Sequence, residues 1–72
     1  MIDLLRTDLS IRERQCLELV ARGYTSKRIG RSLRVSPRTV DVFILRARRK
    51  LGARTRSEAA SLALRGGHIQ IA

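Results

Sequence analysis

Aromatic side chains are almost absent: Tyr24 and Phe43 are the only two in 72 residues, and there is no tryptophan. The core must therefore be aliphatic, built from Leu, Ile, Val and Ala. Few rings also argue against stacking on single-stranded nucleic acid. The single cysteine, Cys16, excludes an intrachain disulfide, and Cys16 with the lone His68 makes no zinc site. Cys16 falls on the apolar face of a helical pattern and reads as a small core thiol, because a nucleophile would need an activating partner. His68 reads as a solvent-exposed bystander, and Tyr24 as a packing lid. Acidic residues number six and are scattered, so no paired-carboxylate site forms. Neither an enzyme nor a cofactor is expected. No run of about 18 apolar residues exists to cross a membrane. The opening Met1-Ile2-Asp3-Leu4-Leu5-Arg6 lacks the parts of a signal peptide. The expected compartment is the cytoplasm, with no membrane partner.

Strand signals are missing too: there is no alternating run and no hairpin dipeptide. What remains is one small domain without repeats or low-complexity tracts, punctuated as four helices. Ser10 to Glu13 has the form of a capping box. From there Glu13, Cys16, Leu17, Val20 and Ala21 recur at helical spacing up to Gly23, which predicts helix 1 over about 11–22. Thr25 or Ser26 caps helix 2, with Ile29, Gly30 and Leu33 inward and an end near Arg34. Gly30 marks either a close approach by another helix or a weak point. Ser36-Pro37 places a cap before a proline at the first helical position. It starts helix 3, which Gly52 ends after Leu51. Thr55-Arg56-Ser57-Glu58 is a second capping box, opening a helix over about 56–65 that Gly66-Gly67 closes. Residues 1–8 read as an N-terminal extension, 9–67 as the domain, and 68–72 as a loosely held tail.

Charge is segregated. The chain carries sixteen Lys and Arg against six acids, a net +10, and all but Lys27 and Lys50 of the cations are arginine. Residues 1–26 balance, and so do residues 57–72. Residues 27–56 hold eleven cations against Asp41 alone. Solubility does not require such segregation, whereas a polyanion partner does. Arginine suits phosphate and guanine through its planar fork.

Helix 3 places Val40, Phe43, Ile44, Ala47 and Leu51 on one face at about 100° per residue. The opposite face carries Arg38, Val42, Leu45 and Arg49, flanked by Arg46 and Asp41. Guanidiniums mixed with exposed aliphatics fit a major groove: Arg to guanine and phosphate, Val42 and Leu45 to thymine methyls. Protein contact is the rival use of Val42 and Leu45. Asp41 either accepts from cytosine N4 or pairs with Arg38 or Arg48. Helix 2, a tight turn at Arg34-Val35-Ser36 and a basic helix 3 make a helix-turn-helix plan. In that plan Thr25, Ser26, Lys27 and Arg28 approach the phosphate backbone, as do Ser36 and Thr39 at the start of helix 3. The base-facing set is Arg38, Asp41, Val42, Leu45, Arg46 and Arg49, with Lys50 beyond it.

The order and spacing of several segments resemble the LuxR/FixJ/GerE type of DNA-binding domain. They are Leu9 to Arg14, Leu17 to Gly23, Ile29, Leu33 to Val40, Lys50 to Ala53, Arg56 to Ala59, and Ala63 with Gly66. The resemblance covers about Leu9 to Ile69. It implies an all-α four-helix bundle with a central helix-turn-helix. It also implies a transcriptional regulator that binds roughly two-fold symmetric double-stranded DNA as a homodimer. The fourth helix would supply the dimer contact, with Ser61, Leu64 and Arg65 as candidates, and RNA polymerase would be a further partner. Members usually carry an upstream receiver or ligand-binding domain. The chain is then either a stand-alone domain or a piece cut from a larger regulator, and Met1, close before Leu9, favours the first.

The chain departs from the family pattern where Asp41 and Phe43 replace a common Lys and His. It departs again at Arg28, where Glu is usual, and at Gly30, where Ala is usual. Arg28 adds charge on the DNA side and removes a capping partner. Two alternatives stand beside a DNA-binding regulator. One is an interaction protein that heterodimerises with, and inhibits, a full-length LuxR-type regulator. The other is a sigma region-4-like module, suggested by Ile44 to Leu51.

Overall fold

Four hydroxyl side chains and one proline decide where the helices begin. In the computed structural model, which describes residues 8–71, the chain forms α1 (Ile11–Ala21), α2 (Ser26–Leu33), α3 (Pro37–Leu51) and α4 (Arg56–Arg65). Among the described residues there is no strand. Ser10, Thr25, Ser36 and Thr55 are the N-caps, each accepting from the backbone N–H three residues on. Each such cap contributes roughly 1 kcal/mol. Helix 1 stops at Ala21, one residue short of expectation, with Arg22 as its C-cap.

The capping box at α1 is complete: Ser10 N–H donates to Glu13 Oε1 at 2.9 Å, and Glu13 N–H donates to Ser10 Oγ at 3.0 Å. The expected second box is half formed. Thr55 Oγ1 accepts from Glu58 N–H, but the Glu58 carboxylate reaches past Thr55 to the Arg54 N–H at 2.6 Å. Extended backbone at Thr55 (φ −133°) brings Arg54 within reach.

α3 is the hub. It packs on α1, α2 and α4, and α1 also packs on α4. One part of the core joins Leu9, Leu17, Ala47, Ala59, Ala63 and Ile69. The other joins Cys16, Ile29, Val40 and Ile44, with Tyr24, Leu33, Val35 and Phe43 packed around it. The alanines of α4 let that helix lie close to α1 and α3. Tyr24 is the half-buried lid it reads as. Burial pushes the Cys16 thiol up to about 11, so it is a protonated core group at neutral pH.

Ile69 corrects the expected tail. It is buried, and the backbone N–H groups of His68 and Ile69 both donate to Ala63 O. The packed body therefore runs past Gly66-Gly67, and His68 is half-buried with its ring against Gly66 instead of lying free. Of the expected N-terminal extension, residues 1–7 lie outside the described residues.

A polar tie crosses the bundle. Glu13 is buried, and Oε1 also accepts from Lys50 Nζ at 2.8 Å, joining the start of α1 to the end of α3. Burial alone would raise the Glu13 pKa. The bonds from Lys50 and Ser10 outweigh it and hold the carboxyl below its ordinary value.

The α2–α3 turn packs directly against Gly30. A Cβ on Gly30 would stand 2.6 Å from Val35 O and 3.3 Å from Pro37 N. The close approach expected at Gly30 is thus made by the turn and the first atoms of α3. Arg34 ends α2 in the left-handed region (φ 61°, ψ 43°) and is the one non-glycine residue with positive φ among the described residues. That conformation costs an ordinary side chain about 1–2 kcal/mol.

Candidate nucleic-acid interface

The turn fixes α3 across α2 and leaves one long side of α3 in solvent. Val40, Ile44 and Ala47 are buried on the inner side. Arg38, Asp41, Val42, Leu45, Arg46 and Arg49 are all exposed. Val42 is 40% and Leu45 38% exposed, so neither is used by the core. Core packing alone does not account for large apolar side chains this exposed between guanidiniums.

Most cations of this region are uncommitted. Among the described residues no carboxylate or hydrogen-bond acceptor engages the side chains of Lys27, Arg31, Arg34, Arg38, Arg46 or Arg49. Burial of apolar surface does not explain them either, since all six are exposed. Their mutual repulsion is relieved most simply by bound anions.

Several expected contacts are otherwise engaged. Lys50 pairs with Glu13 across α1 and α3, and its side chain stays partly exposed. Asp41 pairs, but with neither Arg38 nor Arg48. Its Oδ1 accepts from Ser26 Oγ at 2.5 Å and from Arg56 Nη2 at 3.1 Å, tying α2, α3 and α4 together. Asp41 lies on the flank of α3 where α2 and α4 begin, and this geometry brings Ser26 and Arg56 nearer than any residue of its own helix. Arg48 instead donates from Nη2 to Arg54 O at 2.6 Å and braces the α3–α4 loop.

The hydroxyl groups have local work. Thr25 Oγ1 accepts from Arg28 N–H. Ser36 Oγ accepts from Thr39 N–H and donates to Thr39 Oγ1, both at 3.0 Å. The Thr39 O–H proton is left to give. Arg28 makes no box with Thr25. Its guanidinium lies 3.8 Å from the centre of the Tyr24 ring, so the absent capping partner is replaced by a cation–π contact worth roughly 0.5–1 kcal/mol.

The expected dimer residues Ser61, Leu64 and Arg65 are exposed on α4. Leu64 borders an open, mainly apolar groove with Val20, Ala21, Ala60 and Ile71. Arg31 and Arg34 lie outside the expected site; their spacing of four and seven residues from Lys27 is the sequence signal for them.

The family profile described as "Bacterial regulatory proteins, luxR family" matches residues 7–63. The transcriptional regulatory protein FixJ of Bradyrhizobium diazoefficiens is 41% identical over 61 residues, which are 85% of this chain and 30% of FixJ. The spore germination protein GerE of Bacillus subtilis is 38% identical over 63 residues, covering 88% of this chain and 85% of GerE. The solved structure of the transcription factor GerE matches with a TM-score of 0.81 at 37% identity, over 86% of this chain and 92% of that one. The chain spans only 19% to 30% of the length of FixJ and of two further relatives, from Sinorhizobium fredii and Rhizobium etli.

Proposed function

Since the chain belongs to the luxR family of bacterial regulatory proteins, as a transcription-regulator DNA-binding domain, we propose that it reads double-stranded DNA in sequence-specific fashion with α3 in the major groove. The observation that carries this is the outer face of α3, where exposed Arg38, Arg46 and Arg49, unpaired among the described residues, alternate with exposed Val42 and Leu45. Arg38 and Arg49 reach guanine edges or phosphates. Val42 and Leu45 meet thymine methyls. Thr25, Ser26, Lys27 and Arg28 at the start of α2, with Ser36 and Thr39 at the start of α3, take the phosphate backbone and fix the register.

The division of labour follows from energetics. Phosphate contacts release counterions and supply most of the affinity at low salt. A guanine held by two arginine bonds discriminates by about 1–3 kcal/mol against the wrong base. Asp41 does not compete for cytosine in this reading, because Ser26 and Arg56 occupy it. It orients α3 instead.

Dimerisation on DNA through α4 completes the reading. Ser61, Leu64 and Arg65 are exposed there, and the groove beside Leu64 offers apolar surface to a second copy. A two-fold dimer would read two half-sites about one helical turn apart. With duplex DNA as its partner, the protein acts in the bacterial cytoplasm.

Selection from a random duplex library at about 0.15 M salt tests the proposal. Enrichment of a two-fold symmetric motif is the expected result. Binding without enrichment, vanishing as salt rises, would refute sequence reading.

A further inference from the structure

Arg34 is at odds with its own backbone. A left-handed C-cap suits glycine or asparagine, and this one carries an arginine. The position is exposed, so packing does not ask for the side chain, and no described residue bonds to its guanidinium. A residue that breaks a local rule without a folding gain points to a use outside the fold.

Its neighbours show what use. Lys27 and Arg31 line the same open groove, of about 430 Å³, with Arg34. Gly30, Val35, Ser36 and Pro37 form the rest of the lining. Gly30 has no side chain to fill the groove, and the turn atoms leave no room for one. Three cations thus border a shallow cleft whose lining includes no acid among the described residues. The cleft runs directly into Ser36 and Pro37, at the start of α3, so it continues the face already described.

We propose that Lys27, Arg31 and Arg34 form a clamp for the phosphodiester backbone alongside the groove that α3 reads. The inference rests on the duplex-DNA reading above and adds Arg31 and Arg34 to the DNA-facing residues. The clamp carries no base information. It extends the footprint and sets how strongly affinity depends on salt.

The test uses a fluorescein-labelled, mixed-sequence duplex of about two helical turns, with anisotropy titrations at several salt concentrations. Three variants are compared with the parent protein: Arg34→Gly, Arg31→Gln, and Arg14→Gln as a charge-matched control. Arg14 is an exposed cation on α1, which packs on the inner side of α3. Each clamp variant should flatten the plot of log affinity against log salt by about 0.9. The control should leave the slope unchanged. Arg34→Gly should also melt no lower than the parent, since glycine accepts the left-handed conformation; a weaker binder that is not a weaker fold separates contact from structure. Arg31→Gln leaves the turn unaltered and gives the same readout where Arg34→Gly disturbs the fold.

Unchanged slopes in both clamp variants would overturn the clamp while leaving duplex binding intact, and would turn the cleft toward an acidic protein surface. An equal loss in Arg14→Gln would reduce the effect to net charge and overturn it as well. If the parent protein does not bind the duplex at all, the reading beneath the clamp fails with it.

Discussion

Replacing Glu13 with alanine should be the most informative single change to the fold. Three effects combine. The Ser10 N–H loses its acceptor, which removes half the capping box and costs about 1 kcal/mol. One buried side-chain methylene is removed, at roughly 0.8 kcal/mol. The pair with Lys50 is broken, but the Lys50 side chain is 34% exposed, so its ammonium returns to water and this part is worth well under about 1 kcal/mol. The sum is about 2–3 kcal/mol. A domain of this size has a total stability of only about 4–11 kcal/mol, and the melting temperature should fall by roughly 10–20 °C. Thermal and urea unfolding followed by circular dichroism would measure it. A pH series adds the sharper test. The Glu13 pKa is lowered in the folded protein from its ordinary 4.5. The ionised carboxylate therefore stabilises the fold fully above that value. Its contribution is lost as pH falls through the lower, folded-state pKa. Glu13→Gln, which retains an acceptor for Ser10 but no charge, should thus lose stability relative to the parent at pH 7 and converge with it in acid. A gap between parent and Gln variant that stays constant from pH 7 to well below pH 4 would refute the ion-pair reasoning.

Other outcomes follow from the same geometry. Arg46→Ala with Arg49→Ala should flatten the salt dependence of DNA binding by about 0.9 for each phosphate no longer neutralised, with melting temperature unchanged; titration of a labelled duplex checks both. Ile69→Ala should cost about 2–4 kcal/mol, measured by urea unfolding, because that side chain is buried in the core and does not trail from it. Leu64→Glu should leave the monomer folded and single half-site binding intact while abolishing cooperative binding to a two-fold site, read by gel shift. Cys16 should resist iodoacetamide in the native protein and react once unfolded, since it is fully buried with its thiol pushed up to about 11.

Helix starts are readable in the sequence because they depend on local chemistry. Ser10, Thr25, Ser36-Pro37 and Thr55 each act within four residues, and the structure uses all of them. The faces of α3 are readable for the same reason, since a fixed angular step separates Val40 and Ile44 from Val42 and Leu45. Two of the misses are long-range. Nothing near Asp41 in sequence indicates Ser26 or Arg56, fifteen residues away on either side. Lys50 meets Glu13 across 37 residues, and until α1 and α3 pack it looks like one more basic residue of helix 3. Ile69 stands after two glycines that signal a stop, yet the carbonyl of Ala63 accepts the returning chain. Arg34 is legible as a turn but not as a left-handed arginine, because backbone conformation at one position follows from the helices on both sides.

α3 serves two masters on opposite sides, and the division has an evolutionary consequence. Val40, Ile44 and Ala47 answer to the core, whereas Val42, Leu45, Arg46 and Arg49 are exposed and belong to neither core cluster. A lineage can exchange these outer residues one at a time, changing the surface on which the proposed DNA reading rests, without passing through an unfolded intermediate. Asp41 is the exception. It sits at the border of both faces and holds Ser26 and Arg56, so a change there alters how the helix is mounted as well as what it presents. Diversification in such a domain should run freely along the outer ridge and slow at that one hinge.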